Sequence, residues 1–246
     1  MSYIIFGASS GLGKDLCYEL AKNKKKIIIV SRDKRDLINL QSNIRTIFKT
    51  SVKFLVFDFS KNIKIDSIKN KFKKNKNIEG ILFPVGFAYE NDDLETLKDD
   101  IDKILNVNLI NIIKIILFFT KIFNKQKHGS ITGFGSISSV RGRSKNIIYS
   151  LSKRGLQSFF ESLYYNFSNT KIFVQFYTLG YLNTNQSYNI KSSIIPKGET
   201  HKLSKIVFNN LNKNIIEYYF PNFWKYICIV IRITPFKIFK LLILKK

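Results

Sequence analysis

Seven short apolar runs, rich in β-branched and aromatic residues, recur along the chain at 3–6, 27–30, 53–57, 80–83, 130–134, 171–177 and 215–219. Each reads as a strand, and the near absence of polar alternation within them is what strands covered on both faces show. Longer stretches between them, at 12–20, 37–48, 101–123 and 151–167, space their apolar residues at helical intervals. Strands alternating with helices predict βαβ units. The expected fold is α/β: one doubly wound domain with a mostly parallel seven-stranded sheet and helices on both faces.

No repeat, Pro-rich linker or low-complexity insert divides the 246 residues, whose 45% hydrophobic content suffices for one sizeable core. We therefore expect a dinucleotide-binding and catalytic domain over 1–219, with the polar, irregular stretch 183–200 as a loop over the site. Residues 220–246 form a basic, amphipathic extension rather than a second domain.

Charge changes the picture little. Lys and Arg number 41 against 17 Asp and Glu, a formal +24 that would suit an anionic cofactor, a membrane surface or nucleic acid. The lysines are scattered rather than gathered in an arm, and no helix-turn-helix, zinc-finger or RNA-binding signature accompanies them, so nucleic acid is not an expected partner. Cys17 and Cys228 lie at opposite ends without His or Cys at ligand spacing, which argues against disulfides and against a metal. The first six residues are too short an apolar run for a signal peptide, so a cytoplasmic, reducing location is expected.

The first strand runs into Gly7-Ala8-Ser9-Ser10-Gly11-Leu12-Gly13, and a helix opens near Leu12. Glycine lacks the Cβ that would hold a pyrophosphate away, so backbone N–H groups and the helix N-terminus can face it. This is the entry turn of a Rossmann-type fold. The second strand ends in Ser31-Arg32, where an NAD-preferring site places a carboxylate; Arg32 can instead pair with a 2′-phosphate, which favours NADP(H) over NAD(H). Asp58, after the third strand, either meets the adenine edge or caps the next segment.

Tyr149 and Lys153 stand four apart at the start of a helical pattern and share its face. An ammonium there stabilises the phenolate needed for general acid–base catalysis. Ser136, at the end of the fifth strand, can steady a substrate oxygen. Together with the glycine turn, the sequence Tyr149-Ser150-Leu151-Ser152-Lys153, the upstream Ser136, Asn108 within Asn106-Val107-Asn108-Leu109, and Leu179-Gly180-Tyr181-Leu182-Asn183-Thr184 resemble the short-chain dehydrogenase/reductase family over essentially the whole chain. The resemblance implies that Tyr149 exchanges the proton with the substrate oxygen and Ser136 positions that oxygen. It further implies that Lys153 supports Tyr149 and binds the nicotinamide ribose, that Asn108 holds a water relaying protons to Lys153, and that Gly180 and Thr184 meet the nicotinamide. Two departures stand out: Phe83-Pro84-Val85-Gly86 replaces the family's Asn-Asn-Ala-Gly, so only Gly86 carries over, and Leu179 replaces a proline.

A looser likeness, in Gly135 to Arg143 and in the basic, aromatic tail, is similar to reductases of cell-envelope and surface-polysaccharide synthesis, including those acting on a polyprenyl-phosphoryl keto-pentose. It implies a carbonyl or alcohol substrate on a sugar or lipid-linked sugar. A 3-oxoacyl thioester reductase shares every catalytic residue and is the rival reading; a non-catalytic dinucleotide-binding protein is a third. Arg141 and Arg143 could meet a substrate phosphate. The tail, with no run near the ~20 apolar residues that span a bilayer, could lie on a membrane, cap the cleft or form an interface. A homo-oligomer is expected by resemblance.

Overall fold

The computed structural model describes every residue except 73–76, 90–100, 143, 185–194 and 245–246, with backbone alone for 242–244. The strands are β1 (Ser2–Phe6), β2 (Lys26–Ser31), β3 (Val52–Val56), β4 (Ile78–Phe83), β5 (Gly129–Ser136), β6 (Ile172–Leu179) and β7 (Ile215–Phe220). The helices are α1 (Gly11–Lys22), α2 (Lys34–Phe48), α3 (Ile65–Phe72), α4 (Ile101–Leu105), α5 (Asn111–Gln126), α6 (Ile147–Phe167), α7 (Thr200–Asn209), α8 (Trp224–Ile233) and α9 (Phe236–Leu244).

All seven strands are parallel, in the order β3-β2-β1-β4-β5-β6-β7. The chain winds outward from β1 to β3, crosses over, and winds outward again from β4 to β7. The loops leaving β1 and β4 therefore diverge, and an open α/β sheet binds its ligands in the crevice so formed. Strand β1 shows why both faces are dry: Ile4 and Phe6 enter the core shared with α3, α5 and α6, while Tyr3 and Ile5 enter the one shared with α1, α2 and α7. Phe6 stacks on Phe83 of β4 at 4.8 Å, so the two strands that frame the crevice are also locked by their aromatic rings.

The helical stretch from Ile101 to Gln126 is long and apolar enough to cross a membrane by composition, yet Ile112, Ile115, Ile116, Phe119 and Phe123 are wholly buried against the sheet; it is a core helix. Its pattern predicts one regular helix, but Asn106–Ile110 is a π-helical turn between α4 and α5. Widened turns of this kind occur at functional sites. Here the turn carries Asn108, and Asn111 follows it, both fully buried. Asn111 accepts from the Ile63 N–H and donates to the Phe59 and Lys61 carbonyls, tying down the loop before α3.

Helix α8 seats Trp224 and Cys228 against Val140 and Tyr219, so the extension after β7 is packed onto the domain. Both cysteines are buried free thiols, and burial pushes Cys17 well above the usual thiol range. No group of His, Cys, Asp or Glu able to hold a metal occurs among the described residues.

Candidate active site

Gly7 and Gly11 both take positive φ, +86° and +47°, which a side chain would strain. Space is short as well: a Cβ on Gly7 would lie 2.9 Å from the Val85 Cα, and one on Gly13 would lie 1.9 Å from the Gly7 carbonyl oxygen. Glycine at 7 and 13 thus lets the β1 loop pass beside the β4 loop and turn directly into α1. The first-turn N–H groups of α1, from Gly11 onward, have no intrahelical acceptors and carry the positive end of the helix dipole, so they suit a phosphate. Ser10 is the extended residue before α1 and makes no side-chain cap, and Leu12 is buried beneath the turn. The Ser9 and Ser31 hydroxyls meet at 3.0 Å, joining the turn to the end of β2.

Arg32 is exposed just beyond β2. Asp58 Oδ1 accepts from the Ser60 N–H and hydroxyl, at 2.9 and 2.8 Å. Partial burial would raise its pKa, but the two Ser60 hydrogen bonds, with the charges of Lys61 and Arg32, outweigh that and hold it below the usual carboxylate value.

Lys153 is the electrostatic centre of the site. It is fully buried on α6, its Nζ donates to the Phe134 carbonyl on β5 at 3.1 Å, and desolvation lowers its pKa to about 8. The half-buried Tyr149 lies one turn earlier, with Nζ 5.9 Å from its ring centroid. Two residues beyond Phe134, Ser136 Oγ accepts from the Ser138 N–H and the Ser138 hydroxyl at 3.2 and 3.0 Å. With both acceptor positions taken, its own O–H is left to donate. The arrangement holds an ammonium, a phenol and a directed hydroxyl around the ends of β5 and α6, which suffices to move a proton to or from an alcohol or carbonyl oxygen.

The Asn108 side chain is bound to the backbone of Phe87. Its Oδ1 accepts from the Phe87 N–H at 2.8 Å and its Nδ2 donates to the Phe87 carbonyl at 2.7 Å, so it is a positioning residue for the chain after β4. Gly86 sits where Lys153 and Asn108 converge: a Cβ there would come within 3.5 Å of Nζ and 3.7 Å of Oδ1. The Thr184 methyl lies 3.3 Å from the Cβ position of Gly11, bringing the chain after β6 onto the glycine turn. Gly180 anchors that chain through its N–H to the Phe220 carbonyl at 2.8 Å. A bridge between Leu182 and Gly198 draws together the ends of the 183–200 stretch, of which 185–194 lie outside the described residues.

Arg141 is engaged by the carboxy-terminal helices. It donates to the carbonyls of Ile231 and Thr234 and lies over the Phe239 ring at 4.4 Å, capping α8 with its charge at the negative end of the helix. Arg143 lies outside the described residues. Ser138 and Phe87 were not singled out by sequence; only Ser138 left a local signal, in the Ser136-Ile137-Ser138-Ser139 run.

The profile of the family described as short chain dehydrogenase matches residues 2–194. The chain belongs to the short-chain dehydrogenase family. It is an oxidoreductase, and the glycine cradle above fits the nicotinamide dinucleotide that the family binds. It is similar to very-long-chain 3-oxoacyl-CoA reductase of Mus musculus, at 25% identity over 97% of this chain and 72% of that protein. It is also similar to hydroxysteroid dehydrogenase-like protein 1 of Gallus gallus, at 26% over 91% and 68%. Among solved structures, the short-chain dehydrogenase from Sphingobium yanoikuyae in complex with NADPH superposes with a TM-score of 0.80 at 19% identity, covering 89% of this chain and 87% of that one. The names of these relatives concern acyl thioesters and steroids rather than sugars.

Proposed function

We propose that this short-chain dehydrogenase uses NADP(H) to reduce a carbonyl carried on a lipid-like acyl chain, a 3-oxoacyl thioester being the best candidate, with Tyr149 as the proton donor. The observation that carries the chemistry is the buried Lys153 ammonium between Phe134 and Tyr149. The dinucleotide, when bound, supplies the hydride. Ser136 donates its O–H to the substrate oxygen, Tyr149 delivers the proton there, and Lys153 keeps positive charge beside the phenolate that results.

Arg32, exposed beside the glycine turn and without a carboxylate in its place, supports NADP(H). The thioester reading is favoured over the envelope sugar because a relative similar over 97% of the chain is named a 3-oxoacyl-CoA reductase, whereas the sugar reading stood on the loop and tail alone. The test is NADPH oxidation with acetoacetyl-CoA and longer 3-oxoacyl-CoA substrates against keto-sugar nucleotides. Turnover of the acyl substrates that rises with chain length supports the proposal; turnover of the sugars alone overturns it.

A further inference from the structure

Helix α8 is apolar on two opposite sides. Trp224, Cys228 and Ile231 form the stripe that packs on the domain, yet Tyr226, Val230 and Ile233, on the other side at helical spacing, lie open to solvent, Ile233 at 73%. The apolar surface continues past the bend, where Phe236 is 72% exposed and Leu241 63%. Exposed apolar surface this continuous is unusual on a soluble monomer and marks a contact face. The bend is held rather than loose, because Arg141 binds the carbonyls of Ile231 and Thr234 and stacks on Phe239.

The charge around this face identifies its occupant. From 221 to 246 the chain carries Lys225, Arg232, Lys237, Lys240, Lys245 and Lys246 and no Asp or Glu. A second copy docked here would bring two such cationic sets together, whereas an anionic surface would be attracted to them. We propose that the outer side of α8 and α9 lies on an anionic phospholipid bilayer, with apolar side chains at the headgroup boundary and lysines on the lipid phosphates. Because α8 packs on Ile137 and Val140, directly after Ser136, the bilayer would hold the active site at a fixed distance. The inference is independent of which carbonyl is reduced.

The full-length protein should co-sediment with vesicles of phosphatidylcholine containing phosphatidylglycerol, and not with phosphatidylcholine alone. The pair Val230→Glu and Ile233→Glu, and separately the pair Lys237→Gln and Lys240→Gln, should each weaken that binding at least roughly tenfold. Trp224 is the only tryptophan and lies buried beneath α8, so unchanged indole emission shows that the helix is still seated. The proposal is overturned if the wild type ignores anionic vesicles, or if either variant pair with unchanged emission binds them like the wild type. It is equally overturned if the glutamates split a dimer and leave vesicle binding intact. None of these readouts uses turnover, so failure here leaves the reductase reading standing, and the converse holds.

Discussion

Asn108 and Phe87 stand 21 positions apart in sequence and bond to each other twice, the amide of one side chain matching the N–H and carbonyl of the other's backbone. The π turn delivers Asn108 to that position with no solvent exposure. The β4 loop, deprived of the family's asparagines by Phe83-Pro84-Val85, is thus held from outside itself, next to Lys153.

Asn108→Leu keeps the number and branching of side-chain heavy atoms but removes both bonds, leaving the part-buried N–H and carbonyl of Phe87 without the amide. We expect a loss of about 2–4 kcal/mol in urea unfolding, together with a fall in turnover as Gly86 shifts against Lys153. Stability within about 0.5 kcal/mol of wild type would show that water replaces the amide at no cost.

Lys153 should destabilise the fold that it serves. Its folded pKa of about 8 lies below the ordinary 10.5, so the unfolded chain keeps a proton that the folded one releases between those values. Stability therefore climbs as pH rises through that window, and the burial penalty is fully present below about pH 8. Lys153→Met should raise stability near neutral pH by about 2 kcal/mol, the desolvation relief less one hydrogen bond to Phe134. The gain should shrink above pH 8 while turnover stays lost. A melting temperature that drops at neutral pH would contradict this account.

The wild-type enzyme should lose kcat as pH rises past about 8, because the ammonium beside Tyr149 is then neutralised. A profile flat to pH 10 would mean that Lys153 acts only by hydrogen bonding.

Gly180 touches the indole of Trp224: a Cβ there would lie 2.1 Å from Nε1. Gly180→Ala should cost roughly 1–3 kcal/mol by overpacking and shift the indole emission. Adding Trp224→Ala should return part of that cost, a coupling that a double-mutant cycle measures. Simple additivity would mean that the two sites do not meet.

Arg32→Ala should reduce the preference for NADPH over NADH at least tenfold, roughly one charge-assisted pair. An unchanged ratio of kcat/KM for the two cofactors would remove Arg32 from the site.

Tyr149→Phe should lower kcat by roughly 10²–10⁴ with an unaltered melting curve. Retained turnover would place the proton donor elsewhere.

Much of this protein is written locally. The β1 and β2 runs show as strands because their apolar residues are contiguous, and Gly7 to Gly13 shows as a phosphate turn because its geometry depends on neighbours within one turn. Tyr149 and Lys153 are legible for the same reason, being one helical turn apart. Helices α3 and α7 were less visible: each is short, and their apolar faces are covered by distant elements, the sheet together with α5 and α1 respectively. The helical pattern from 101 could not reveal the π turn, since periodicity does not register one residue inserted into a helix already apolar around most of its surface.

The sequence by itself determined the parallel α/β layering, the glycine turn and the Tyr149–Lys153 pair, because each arises from residue spacing within one strand, turn or helix, or from the order in which such elements follow one another. Tertiary structure alone decided that Asn108 clamps Phe87, that Lys153 reaches the Phe134 carbonyl 19 residues upstream, and that Arg141 caps a helix 90 residues away. Those partners are chosen by the packing of distant elements into one core, and a buried amide, ammonium or guanidinium must bond to whatever backbone that packing places beside it.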